Sequence, residues 1–332
     1  MLSLSFQTVK RLNMNGLKMQ LPVPDPVIVM VGPSAVGKTA LSIELAMRFS
    51  AEIISLDSRY LYRGMDIGTA KPTQAEMQGV PHHLIDIAEP DEILSLPQIQ
   101  RRAAAAISAI KQRGNIPFMV GGTGQYVWGV IEGWLPPFAK PNERLRTTLE
   151  EIAAKAGAAA MHEYVTILDP EAAKKIEPNN VRRSIRALEV ILSTGERFSD
   201  QKRKAPPSHD FKIIGLQRSR QELYQRVDQR IDQMITGGLV PETEVLLQKG
   251  YPLDLPSMTA IGYKEITQYL RNEISLEEAV RLMKRRTRTF IRHQANWFKP
   301  TDARIRWFDV TPQVLTDVTA FISSDDGWDH KR

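Results

Sequence analysis

Gly32-Pro33-Ser34-Ala35-Val36-Gly37-Lys38-Thr39 is a complete G-x-x-x-x-G-K-[ST] phosphate loop. The apolar run Val27–Val31 leads into it, and Ala40-Leu41-Ser42-Ile43-Glu44-Leu45-Ala46 leaves it with helical periodicity. That is the strand–loop–helix setting in which successive backbone N–H groups and a helix N-terminus converge on an anion. Lys38 is placed to reach the outer phosphate, and the Thr39 hydroxyl to meet Mg²⁺. A plain glycine-rich turn would have no use for the Lys-Thr pair. The expectation is therefore a bound di- or triphosphate on an α/β core.

Outward from the loop the alternation continues. Glu52–Leu56 reads as a strand ending at Asp57, and His83–Ile87 as another. Leu96–Gln112 reads as an alanine-rich helix. Ile116–Val120 is a strand that ends in Gly121-Gly122-Thr123-Gly124, after which Gln125–Ile131 turns helical. Strands alternating with helices imply a parallel sheet. Beyond Pro136-Pro137 and Pro141 only helices are legible, roughly Glu143–Ala156, 170–176 and Val181–Leu192, followed by a basic linker over 197–210. Phe211–Leu216 returns to a strand. Ser219-Arg220-Gln221-Glu222 is a capping box opening a helix that stops at Gly237-Gly238.

The expected fold is a P-loop NTPase-like parallel sheet flanked by helices, with an all-helical insertion domain. Residues 25–139 and 206–315 form the core with C-terminal helices, and 140–205 the insertion. Residues 1–24 are read as a disordered extension and 316–332 as a frayed tail.

Composition narrows the function classes. The chain has 332 residues and no cysteine, which excludes disulfides, thiol nucleophiles and thiolate metal sites. No apolar run approaches the ~20 residues that span a bilayer. A cytoplasmic monomer is the simplest expectation, although the acid-free, basic residues 1–24 loosely resemble an organellar transit peptide. Formal net charge is +6, and the excess is clustered. Residues 281–299 carry Arg281, Lys284, Arg285, Arg286, Arg288, Arg292 and Lys299 with no acid between them; Arg182, Arg183 and Arg186 form a second group. Solvated helix faces would explain either cluster. Two clusters beside a phosphate loop favour a nucleic acid.

Ligands of open parallel sheets sit at the carboxyl ends of strands. Asp57 occupies such an end, where a carboxylate serves as a general base, caps a turn or orients a magnesium ligand. Thr123 is a turn residue or a ligand contact between glycines that admit close approach. Arg226 and Arg230 lie at i, i+4 on one helix face, either salt-bridged to Asp228 and Asp232 or offering cations to a departing phosphate. Tyr263 and Trp297 stand among basic residues, which suits stacking on unpaired bases and suits a core equally.

Taken in order, Gly32–Thr39, Ile54-Ser55-Leu56-Asp57-Ser58, Tyr62-Arg63-Gly64-Met65-Asp66-Ile67-Gly68-Thr69-Ala70-Lys71-Pro72, Gly121–Gly124 and Ala260-Ile261-Gly262-Tyr263-Lys264-Glu265 closely resemble the tRNA dimethylallyltransferase family. The similarity spans about 26 to 310. It implies transfer of a dimethylallyl group from dimethylallyl diphosphate to N6 of adenine 37 of tRNA, with Mg²⁺. Gly32, Ser34, Ala35, Val36, Gly37, Lys38 and Thr39, with Arg230, would then hold the diphosphate. Asp57 would be the base, with Thr123 and Arg230 at the reacting end. The resemblance implies tRNA contacts at Asp57, Ser58, Arg59, Tyr60, Arg182, Arg183, Arg186, Ile261, Gly262, Tyr263, Lys264, Arg292, His293, Gln294 and Trp297. The chain departs from the family in having Tyr60 where Gln is usual. It also has Arg292-His293-Gln294-Ala295-Asn296-Trp297 where Lys-Arg-Gln-x-Thr-Trp is usual. A P-loop kinase for a nucleoside or small metabolite shares the loop and a strand-end carboxylate. It has less use for the basic stretch. An RNA-binding module with a degenerate phosphate site would not need an intact Lys38, Thr39 and Asp57.

Overall fold

The structure, a computed structural model, describes residues 21, 26–137, 142–201, 203–206, 209–326 and 328–329. The extension over 1–24 lies outside them apart from residue 21. Two compact units divide the chain. One comprises residues up to Ile93 with Arg102–Val127 and His209–Arg332; the other comprises Leu94–Arg101 and Trp128–Ser208.

In the first unit β1 (Pro26–Val31) leads through the phosphate loop into α1 (Lys38–Phe49), then β2 (Ala51–Ser55), α2 (Gln74–Met77) and β3 (His82–His83). α3 (Leu96–Gln112) precedes β4 (Ile116–Gly121) and α4 (Gly124–Ile131). In the second unit β5 (Trp134–Leu135), α5 (Glu143–Leu168), α6 (Pro170–Ala173), α7 (Val181–Thr194) and β6 (Arg203–Lys204) follow. The first unit resumes with β7 (Asp210–Gln217), α8 (Arg220–Thr236), α9 (Leu239–Gln248), α10 (Tyr263–Leu270) and α11 (Leu276–Ala295). It closes with β8 (Ile305–Asp309), α12 (Val314–Ser323) and β9 (Trp328–Asp329).

The sheet order is β3-β2-β4-β1-β7-β8, parallel throughout, with β9 pairing antiparallel to the start of β7. Val27 to Val31 and Ile213, Ile214 and Leu216 are almost wholly covered, as strands with helices on both faces require. Val31 pairs with Gly121 and with Gly215. The phosphate loop therefore emerges beside the Gly121–Gly124 loop, at the carboxyl edge of the sheet.

The second unit has its own core of Leu149, Met161, Val165, Ile176, Leu188 and Phe198. Two buried carboxylates organise it. Asp169 accepts from Ala172 N–H, Ser199 N–H and the Ser199 hydroxyl. Glu189 accepts from Arg146, Arg186 and Asn142 N–H. α5 runs past its expected end at 156 to Leu168, with a kink at Gly157, whose φ of 84° is not helical. The segment read as a linker contains β6, which pairs with β5, and Phe198, which is buried.

Two local expectations are corrected, and one strand is added. The strand expected over 83–87 ends at His83, because Leu84 and Asp86 take left-handed φ values of 63° and 55°. Asp86 instead turns to accept from Lys71, and its N–H donates to Tyr60 O. The tail does not fray from 316. α12 packs Val318 and Ile322 inside, and the fully buried Lys212 donates to Phe321 O and Ser324 O at its end. β8 was not legible as a strand; it joins the sheet beside β7.

Candidate active site

The phosphate loop is held by its own Lys38 and by two arginines from outside it. Lys38 Nζ donates to Gly32 O (3.0 Å) and Pro33 O (2.9 Å). Arg226 Nε donates to Ala35 O (2.7 Å), and Arg218 Nε to Val36 O (3.0 Å). Ala35 has a left-handed φ of 64° and Gly37 one of 115°, the alternation that turns successive amides toward one point. Burial brings the Lys38 pKa down to about 8; Asp57 opposes the shift and Arg230 adds to it.

A cavity of about 390 Å³ opens at the loop. Ser34, Gly37, Lys38, Thr39, Arg226 and Arg230 line it together with Asp57 and Tyr60. Ile43, Ile53, Pro72, Ile85 and Val120 add an apolar surface. One space thus offers three cations, the carboxylate of Asp57 together with those of Glu44 and Glu76, and an apolar wall. Arg226 is the cation that sequence reasoning weighed without assigning.

Asp57 lies two residues past the end of β2 and accepts from Arg59 N–H at 2.9 Å, so the next turn fixes its carboxylate. Thr123 is brought to the same place. Its hydroxyl accepts from Ser58 N–H (3.1 Å) and meets Ser58 Oγ (3.3 Å). Tyr60 points into the cavity and donates to Ala70 O at 2.8 Å, and burial pushes its phenol pKa up. Its surroundings are Thr39, Asp57 and Arg230 rather than an open surface.

The Asp66–Lys71 motif and the Gly262–Glu265 motif build one another. Glu242 accepts from the N–H groups of Asp66, Ile67 and Gly68 and from the Tyr263 hydroxyl. Lys71, nearly buried, donates to Tyr62 O, Asp66 and Asp86. A Cβ on Gly68 would stand 2.6 Å from the Tyr263 ring. Tyr263 is therefore fully buried and cannot stack on a base, which corrects that expectation. Gly262 is covered too, its N–H donating to Glu265 at 2.7 Å. Of this group Ile261 is half-buried and Lys264 exposed. Glu242 carried no signal in sequence, since a lone acid announces no partner far along the chain; Lys71 stood within the quoted motif, but nothing local named Asp86 as its partner.

About half of the cations in the two basic clusters are ion-paired. Arg286 binds the buried Glu265, Arg288 binds Asp228, Lys284 binds Asp232 at 2.7 Å, and Arg281 binds Glu278. Arg186 holds Glu189. Arg182, Arg183, Arg285, Arg292, His293 and Lys299 stay exposed, and Trp297 is 42% exposed. Gln294 is buried and unavailable to an RNA, a second correction. Among the described residues no group of three or more His, Cys, Asp or Glu could hold a metal, and no helix is long and apolar enough to cross a membrane.

Fold and cavity define a phosphate-loop α/β protein of the P-loop NTPase-like class, with a cationic anion site facing a strand-end carboxylate. The family profile described as IPP transferase matches residues 60–301. A tRNA dimethylallyltransferase of Roseiflexus sp. (strain RS-1) is 48% identical over 307 residues, covering 90% of this chain and 99% of its own. One from Bacillus pumilus is 46% identical over 289 residues, covering 86% and 90%. The crystal structure of the full-length tRNA isopentenylpyrophosphate transferase of Bacillus halodurans superposes with a TM-score of 0.68 at 42% identity, covering 90% of this chain and 96% of that one. A eukaryotic dimethylallyltransferase acting on tRNA gives 0.74 at 27% identity, covering 90% and 78%. The chain belongs to the IPP transferase family.

Proposed function

We propose that this chain transfers a dimethylallyl group from dimethylallyl diphosphate to N6 of adenine 37, beside the anticodon of a tRNA, releasing diphosphate. The observation that carries the reading is the single cavity shared by Lys38, Arg226, Arg230 and Asp57. A kinase would use the same loop, but the relatives that cover nearly the whole chain are tRNA dimethylallyltransferases.

The N6 amine is a weak nucleophile because its lone pair is delocalised into the ring. Asp57 takes one N6 proton as the N6–C bond forms. The allylic C–O bond breaks, and its electron pair leaves with the diphosphate. Lys38, Arg226, Arg230 and the loop amides meet that charge. Thr123, tied to Ser58 beside Asp57, stands at the acceptor end. The Thr39 hydroxyl lies in the same cavity. It is a hard oxygen of the kind Mg²⁺ takes together with phosphate oxygens and water. When bound there, Mg²⁺ would add positive charge against the leaving group. The target base would be extruded from the loop into the site, at less cost than from a duplex. Ser58, Arg59, Arg182, Arg183, Lys264, Arg292, His293 and Trp297 are the tRNA-contact candidates with exposed or half-exposed side chains. The reading is of a cytoplasmic, monomeric enzyme.

The test incubates the protein with Mg²⁺, labelled dimethylallyl diphosphate and unmodified tRNA. A parallel arm supplies labelled ATP and nucleosides. Label in the tRNA, at the adenine 3′ of the anticodon, is expected. Phosphoryl transfer without prenylation would overturn the proposal.

A further inference from the structure

We infer that Gln294 is a positioning residue for transfer, setting the spacing between the phosphate loop and the Gly121–Gly124 loop from the register of α11. The inference rests on the proposed reading, in which one loop holds the leaving group and the other carries Thr123 at the acceptor end.

Gln294 turns inward from a helical turn whose other members face solvent. It is 5% exposed, whereas Arg292 and His293 are exposed. Its Oε1 accepts from the Ser34 N–H at 2.8 Å, and its Nε2 donates to Gly122 O at 3.2 Å. An amide suits this place because it accepts at one end and donates at the other. A carboxylate could not donate to Gly122 O. An aliphatic side chain would leave the part-buried Ser34 N–H and the buried Gly122 C=O without this partner. The fit is close: a Cβ on Gly122 would lie 2.5 Å from Nε2 and 3.6 Å from Lys38 Nζ. Gly122 is thus a glycine because Gln294 and Lys38 occupy the space beside it.

The two loops leave adjacent parallel strands, with Val31 paired to Gly121. Beyond that pair the ladder ends, and Gln294 bonds to both loops. The Gln294 carbonyl also accepts from Trp297 N–H at 3.0 Å, and a Cβ on Gly124 would collide with the Trp297 ring. One helical end therefore contacts Ser34, Gly122 and Gly124, on both sides of the reacting centre. Displacement at the allylic carbon needs the nucleophile, carbon and bridging oxygen in line, and an error of about 1 Å can cost about 100-fold in rate. Gln294 touches neither reactant; it acts through the loops that do.

The test compares wild type with Gln294→Met, which keeps the volume and removes both strong hydrogen bonds. In single-turnover prenylation of an anticodon stem-loop, the rate is expected to fall by about ten-fold or more. Dissociation constants for inorganic pyrophosphate and for the stem-loop should stay within about three-fold. Hydrogen exchange supplies a readout that needs no turnover. In wild type, pyrophosphate should slow amide exchange over residues 121–124, and in Gln294→Met that protection should be lost. An unchanged rate, or a rate and both affinities falling in step with the melting temperature, would overturn the inference. A wild type that shows the exchange coupling but transfers no prenyl group would sink the proposed reaction while leaving the loop-to-loop role standing.

Discussion

The Tyr263 hydroxyl donates to Glu242 at 2.7 Å, and through that carboxylate a wholly buried aromatic ring holds the backbone of residues 66–68. Two motifs far apart in sequence are thus one structural unit. Glu242→Ala would leave three backbone N–H groups and a phenol without their acceptor. The expected loss is about 3 kcal/mol, against about 1 kcal/mol for Tyr263→Phe, which removes a single bond. Urea unfolding followed by tryptophan fluorescence measures both. Equal losses in the two variants would show that the carboxylate is not the hub.

Asp57→Asn should slow transfer by about 100-fold or more, the usual span for a general base. Pyrophosphate affinity should hold, because the cations and loop amides are untouched. The comparison is single-turnover rate against pyrophosphate binding by calorimetry. Retained turnover would assign Asp57 to its turn alone, as the acceptor for Arg59 N–H.

Lys38 gives the donor site a pH dependence. Its pKa near 8 in the empty cavity lies below the ordinary 10.5. A bound diphosphate favours the ammonium form and raises that pKa, so binding takes up a proton above about pH 8. Affinity for dimethylallyl diphosphate should be flat below pH 8 and fall as pH rises beyond it. Proton uptake should show as a dependence of calorimetric heat on buffer ionisation enthalpy. Lys38→Met should bind weakly with no such fall. In the empty protein the sign is opposite for folding. The unfolded chain holds the proton up to 10.5, so this group's contribution to stability rises between about pH 8 and 10.5.

Glu52 governs an acid limb of stability. Hydrogen bonds from Arg113, helped by Asn115 and His83 and opposed by burial, bring its pKa down to about 2. A depressed carboxylate contributes fully above its unfolded value of 4.5, and the contribution is lost as pH falls toward 2. The pair joins the start of β2 to the end of α3 and to β3. Glu52→Gln should cost about 3 kcal/mol at neutral pH and flatten the decline below pH 4.5. Unfolding free energies at pH 7, 4 and 3 decide it. An unchanged slope in the variant would place the acid sensitivity elsewhere.

What the sequence disclosed follows from range. The phosphate loop, the capping box at Ser219–Glu222 and the buried strands β1, β4 and β7 are written in neighbouring residues, so they were legible. Asp57, Thr123 and Arg230 were legible as strand-end or helix-face groups; that Ser58 joins the first two needed three dimensions. Tyr263 misled because an aromatic beside a lysine looks the same whether it faces an RNA or a core. Only Glu242 and Gly68, distant in the chain, decide between them. The strand read over 83–87 failed for a similar reason. Its apolar pattern was real, but Lys71 draws Asp86 into a left-handed turn that no local propensity encodes.

The same distinction separates two adjacent arginines on α11. Arg285 is exposed, and removing it deletes a surface charge without disturbing a packed partner. Arg285→Ala should weaken tRNA binding evenly across sequences and lower the salt slope by about one. Arg286 is committed inside the fold to Glu265, whose side chain is 0% exposed and also accepts from Gly262 N–H. Arg286→Ala strands that carboxylate, at a cost of about 3 kcal/mol. It should lower the melting temperature while leaving the salt slope of the surviving folded protein unchanged. Arg286→Ala with Glu265→Gln should recover part of the loss, because the buried charge is gone. Filter binding across a salt series, together with thermal melts of all three variants, tests the assignment. A reduced salt slope for Arg286→Ala at an unchanged melting temperature would move that residue from the core to the interface.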